Sequence, residues 1–126
     1  MNEPVWIEKE DCLAFHSQML ARFGGREGIR DGGLLESALN RPKQLISYGE
    51  PTLYELAASY ATGVVKNHPF VDGNKRSGFM SAALFLEING RRFKASEEEV
   101  VERTLALAAS AITEADYAEW LKRSCA

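Results

Sequence analysis

Apolar residues recur along this chain at helical rather than strand spacing. Cys12, Phe15, Met19 and Phe23 form one stripe of a helix that stops at Gly24-Gly25. Half of the ten glycines then fall in residues 24–33, "GGREGIRDGG", which reads as a loop. Asp31 can cap a short helix, "LLESALN", which Pro42 follows; "RPKQLISYGEP" is too polar and irregular to extend it. Thr52 and Glu55 have the spacing of a capping box. Beyond them Leu56, Tyr60 and Val64 run along one helical face, with Leu53, Ala57 and Ala61 beside it. His68 is the next position on that face, which predicts an inward imidazole, while Pro69 disfavours α geometry at His68.

A new helix is predicted from about Asn74. Its stretch "GFMSAALFLEI" is apolar almost all round, which suggests a helix in the middle of the fold, and Asn89-Gly90 stops it. "RRFK" reads as a short strand, with "VWI" near the N-terminus as its neighbour. Ser96 and Glu99 suggest a second capping box, followed by the stripe Val101, Leu105, Ala108 and Ile112. Thr113 and Asp116 open a last helix carrying Tyr117, Trp120 and Leu121. The prediction is an all-α bundle of about six helices with at most a minor β element, forming a single domain over residues 1–126.

Composition narrows the function classes. At 126 residues, 45% hydrophobic and 26% charged, the chain can bury one core. A net charge of −3 gives no broad basic field, which argues against direct nucleic-acid binding. There is no uninterrupted apolar run long enough to cross a bilayer, and "MNEPVWIEKED" has no signal-peptide character, so a cytoplasmic protein is expected. Cys12 and Cys125 form no CxxC pair and read as reduced, structural thiols.

The chemistry gathers in "NHPFVDGNKRSG", residues 67–78. His68 ends one helix, where the macrodipole favours the imidazolium, a useful property for a general base. The next helix starts a few residues later, and its free N–H groups suit an anion. Gly73 lets backbone approach a ligand, while Lys75 and Arg76 add cations suited to phosphate oxygens. Asp72 is the one acid, and beside a phosphate it calls for an intervening cation such as Mg²⁺. Asn74 could orient the phosphates or the loop, and Phe70 should anchor the loop in the core. Base, metal carboxylate and anion cradle suffice for moving a phosphorus group onto a hydroxyl. An ordinary polar interhelical turn would also have this composition.

"HPFVDGNKR" resembles the signature of the Fic/Doc (Fido) family, His-x-Phe-x-(Asp/Glu)-Gly-Asn followed by Gly or Lys and then Arg, at every fixed position. "FGGREGIRDGGLLESALNRP" is similar to the N-terminal stretch of the Doc-like (death-on-curing) toxin branch. Position 75 separates the branches. The AMP-transferring branch usually has glycine there and a second arginine further on, whereas this chain has Lys75 and Phe79. The resemblance therefore implies a Doc-type kinase that transfers the γ-phosphate of ATP to a Ser or Thr hydroxyl, with AMP transfer and a non-catalytic peptide-binding regulator as alternatives. It implies His68 as the base, with Asp72 binding Mg²⁺ or orienting the acceptor. Gly73, Asn74, Lys75 and Arg76 would hold ATP phosphates, and Phe70 would brace the loop. It also implies a cytoplasmic growth-inhibiting toxin with a Phd-type antitoxin and a translation elongation factor as target.

Other features carry less. Lys43 to Leu53 falls where the family keeps a target-docking flap, and a plain surface connection fits equally. The family's inhibitory pattern is approached by Ser110 to Glu114, but Ala115 breaks it, and the segment is expected in a core helix. "GGREG" matches no phosphate-loop spacing and reads as a helix stop and turn. His16 is expected at the surface or boundary. "SEEEVVE" is a dipole-favoured helix start, and Trp6 and Trp120 are expected in the core.

Overall fold

The computed structural model describes residues 3–126, in which six α-helices follow one another. They are α1 (Lys9–Phe23), α2 (Gly32–Tyr48), α3 (Leu53–Asn67), α4 (Asn74–Ile88), α5 (Glu97–Ala108) and α6 (Glu114–Arg123). The only extended pairings among the described residues are two isolated antiparallel bridges, Ile29 with Phe70 and Phe93 with Cys125. None of these helices is long and apolar enough to cross a membrane.

Local signals set several helix starts. The Asp31 carboxylate accepts from the Leu34 amide at 3.0 Å. Thr52 and Glu55 satisfy each other's backbone N–H groups at 2.9 and 3.1 Å. Thr113 and Asp116 do the same for α6. At α5 the Ser96 hydroxyl accepts from the Glu99 amide at 3.1 Å.

α3 is the helix at the centre. It buries Leu56, Tyr60, Val64, Val65 and a run of small residues, and α2, α4 and α6 pack around it. Small residues let axes approach: a Cβ at Gly78 of α4 would lie 2.6 Å from Val65 Cγ2 and 3.1 Å from the Ala61 carbonyl. α4 is therefore not the buried middle its composition suggests. It packs Ser81, Ala82, Phe85 and Leu86 inward but leaves Met80 and Ile88 exposed.

Further expectations are corrected. α2 does not end before Pro42 but runs to Tyr48, so Lys43–Tyr48 is helix and only residues 49–52 connect it to α3. An interior proline loses a hydrogen bond and costs about 3 kcal/mol. Here Leu35, Ala38, Leu39 and Pro42 itself are buried, and Leu45 and Ile46 pack on the core, which offsets that cost at roughly 1.5–3 kcal/mol per large aliphatic side chain. In α5, Val101 and Leu105 are 45% and 49% exposed, while Thr104 and Leu107 face inward, and Ile112 lies beyond the helix end. The Thr104 hydroxyl bonds the buried Tyr117 hydroxyl at 2.9 Å, which turns that side of α5 to the core. Finally, Phe93 pairs with Cys125 rather than with "VWI". Val5 is instead held through its amide and carbonyl by the Asn89 side chain, at 2.8 and 2.9 Å.

Trp120 is buried among Phe79, Phe93 and Tyr117; Trp6 is half-buried against Phe85. Both cysteines are free, and burial pushes the Cys12 thiol up to about 11, where it is unreactive at neutral pH. Ser110 to Thr113 lie in the turn between α5 and α6 rather than in a core helix, and Glu114, the first residue of α6, pairs with Arg41 at 2.6 Å.

Candidate functional site

The segment between α3 and α4 is held by the glycine-rich segment that follows α1. The Val71 amide donates to the Gly28 carbonyl at 3.0 Å, and the Arg30 and Asp31 amides donate to the Pro69 carbonyl at 2.7 and 3.1 Å. The Arg30 guanidinium also donates to the carbonyls of His68 and Asn67, at 2.7 and 2.9 Å, satisfying the end of α3. "GGREGIRDGG", read as a loop, thus also braces the end of α3 and the segment after it. Its role was not visible locally, because Arg30 meets carbonyls 37 and 38 positions away.

His68 caps α3 in the left-handed region, with φ 50° and ψ 55°. Pro69 disfavours the right-handed conformation at His68, and the chain turns instead of continuing the helical face. The imidazole is consequently exposed, which corrects the expectation that it points inward. It still meets the next helix: Nδ1 lies 3.4 Å from the Asn74 side-chain nitrogen, at the first residue of α4.

Phe70 and Asn74 form the underside of the loop. Phe70 is 1% exposed, and Asn74 is 8% exposed. The Asn74 carboxamide accepts from the Phe70 amide at 2.9 Å and donates to its carbonyl at 3.0 Å. Its side chain thereby orients the loop, and only its backbone N–H remains for an anion. His16, expected at the surface or boundary, is 5% exposed and stacks on Phe70 with centroids 3.7 Å apart.

Asp72 is exposed. One carboxylate oxygen accepts from the Gly73 amide at 2.9 Å, the other from the Arg26 amide at 3.3 Å. An ionised carboxylate has further lone pairs, so both oxygens can still meet a cation. No group of three or more His, Cys, Asp or Glu side chains gathers among the described residues. Asp72 alone does not make a protein-built metal site. It does suit Mg²⁺, which keeps several waters and is often held by one or two carboxylates together with substrate phosphates.

Gly73 opens α4 at φ 78°, a conformation that favours glycine, and a Cβ there would lie 2.5 Å from Met19 Cε. With no side chain at this cap, the first amides of α4 receive none of the side-chain bonds seen at α2, α3, α5 and α6. Lys75 and Arg76 are exposed on that first turn and pair with no carboxylate among the described residues. The Arg76 guanidinium lies over the Phe23 ring at 3.9 Å.

Lys75 and Arg76 also line an open groove of about 970 Å³ between α1, α4 and α5. Its lining is mostly apolar, with Phe79, Met80, Val101 and Leu105; Arg22 and Lys94 add positive charge and Glu97 one negative charge. His68 and Asp72 do not line it. The cations of α4's first turn therefore join two surfaces, the loop and the groove.

Residues 6–86, more than half of the chain, match the Fic/DOC family. The chain is 34% identical over 118 residues to the protein kinase Doc of Escherichia phage P1, covering 93% of each protein. It is 40% identical over 88 residues to toxin Doc of Mycolicibacterium smegmatis, covering 68% of this chain and 65% of that protein.

Proposed function

The chain belongs to the Fic/DOC family, and from that premise we propose that it is a Doc-type toxin kinase, moving the γ-phosphoryl group of ATP to a Ser or Thr hydroxyl of a cellular protein. One observation carries the reading. An exposed imidazole stands beside the start of α4, whose first turn presents uncapped amides and two cations that pair with no carboxylate among the described residues.

In this mechanism His68 takes the proton of the acceptor hydroxyl as the new O–P bond forms and ADP leaves with the electrons of the broken bond. The left-handed cap turns the ring outward, where a protein substrate can reach it. The free backbone amides at the start of α4, from Asn74 onward, hold the phosphates with the side chains of Lys75 and Arg76, and Gly73 lets the backbone approach them. Asp72 would hold Mg²⁺ jointly with phosphate oxygens, and the ion would neutralise charge between them. Phe70 and the Asn74 carboxamide keep the cradle rigid.

Position 79 favours γ-phosphate over AMP transfer. The AMP-transferring pose calls for a second arginine, whereas Phe79 is half-buried and packs against Phe93 and Trp120, with centroids 5.4 and 6.4 Å away. The growth-inhibiting role, a translation elongation factor as target and neutralisation by a Phd-type antitoxin belong to the same proposal. Glu114 supports inhibition from a separate chain, because its carboxylate is already engaged with Arg41. The apolar, positively edged groove suits an amphipathic antitoxin helix carrying acidic residues.

The test is incubation with Mg²⁺, cell extract and ATP labelled at the alpha or the gamma phosphate. Label on a protein from the gamma position only is the expected result. Label from the alpha position would replace this reading with AMP transfer.

A further inference from the structure

His16 is a buried titratable side chain that the mechanism above does not use. It comes from α1 and reaches the back of the loop 56 positions later in the chain, where Nε2 lies 2.9 Å from the Asp72 carbonyl oxygen. Its ring lies 10° from parallel to Phe70, with centroids 3.7 Å apart. At 5% exposure it is too enclosed to meet a protein substrate.

The choice of residue is informative. Phenylalanine could supply the stack and the apolar burial at less desolvation cost. What the imidazole adds is a donor directed at one carbonyl. A carbonyl oxygen only accepts, so Nε2 must carry a proton. The Asp72 carbonyl belongs to the peptide that leads into Gly73, whose φ of 78° starts α4. Fixing that peptide fixes both the departure of the Asp72 carboxylate and the direction of the first α4 amides.

We propose that His16 is a positioning residue for phosphoryl transfer, holding the Asp72–Gly73 peptide through its Nε2–H while its stack on Phe70 sets the direction of that bond. The functional part rests on the kinase reading; the positioning itself does not.

Two variants separate the stack from the hydrogen bond. His16→Phe keeps an aromatic ring on Phe70 and removes the donor, whereas His16→Gln keeps a donor and removes the stack. Initial rates of label transfer to extract protein, measured against ATP concentration, should show His16→Phe slowed about 100-fold at saturating ATP, with the apparent KM changed less than about threefold. His16→Gln should recover at least a tenth of the wild-type rate. Wild-type turnover in His16→Phe, or a loss carried wholly by KM, would overturn the proposal.

Nitrogen-15 NMR of the full chain supplies an independent arm. The His16 ring should carry its proton on Nε2, and His16→Phe should shift the Gly73 and Asn74 amides while leaving those of α6 in place. A proton found only on Nδ1, or unmoved Gly73 and Asn74 amides, would overturn the positioning role. These spectra decide it even if wild type transfers no phosphate, an outcome that would count against the kinase reading alone.

Discussion

The two faces of the segment from His68 to Arg76 differ in how completely their polar groups are used. On the inner face Phe70 and Asn74 are buried, and the Asn74 carboxamide closes two bonds to the Phe70 backbone. On the outer face His68, Asp72, Lys75 and Arg76 are exposed, and neither cation has a carboxylate partner among the described residues. A turn that served only to join two helices would have no need of so rigid an underside beneath so unsatisfied a surface. The contrast separates support from chemistry, and each half can be attacked alone.

The largest effect should come from the inner face. Phe70→Ala should cost about 3–5 kcal/mol of folding stability, because a large ring leaves a cavity between α1 and the loop. Thermal melting should fall by roughly 10–20 °C, with transfer activity lost alongside it. Asn74→Ala comes next, at about 1–3 kcal/mol, since it strands a buried amide and a buried carbonyl of Phe70. A melt within a degree of wild type would remove the distinction between the faces.

Gly73→Ala should be milder, about 1–2 kcal/mol, from left-handed strain and displacement of the Met19 methyl. Its rate loss should exceed its stability loss, because the α4 amides move with it; chemical denaturation and label transfer on the same sample would show this. The smallest effect concerns the metal. With no acidic or imidazole cluster among the described residues to hold it, Mg²⁺ alone should leave the melting temperature unchanged, and Mg²⁺ with ATP should raise it. A rise with Mg²⁺ alone would mean that Asp72 has protein co-ligands.

What could be read in advance was local. The caps Asp31, Thr52–Glu55 and Thr113–Asp116 are bonds between residues three apart, and each is present. The gathering of His68, Asp72, Gly73, Asn74, Lys75 and Arg76 was visible because it is contiguous. The misreadings involve distant partners. Pro42 looked like a helix stop because the core that holds α2 together past it lies on other elements. The Val101–Leu105 stripe looked like core because its spacing is helical, yet the Thr104–Tyr117 bond turns another side inward. His16 and Arg30 were missed because their partners lie far along the chain. Pro69 did signal the break at His68, but the outward swing follows only from the left-handed cap.

The outer face is tested most directly by His68→Ala, with melting and γ-phosphate transfer measured on one preparation. The account predicts a melt within about 1–2 °C of wild type, as for an exposed side chain, and a rate at least roughly 100-fold lower. Transfer at the wild-type rate, or a melt depressed as far as that of Phe70→Ala, would contradict it.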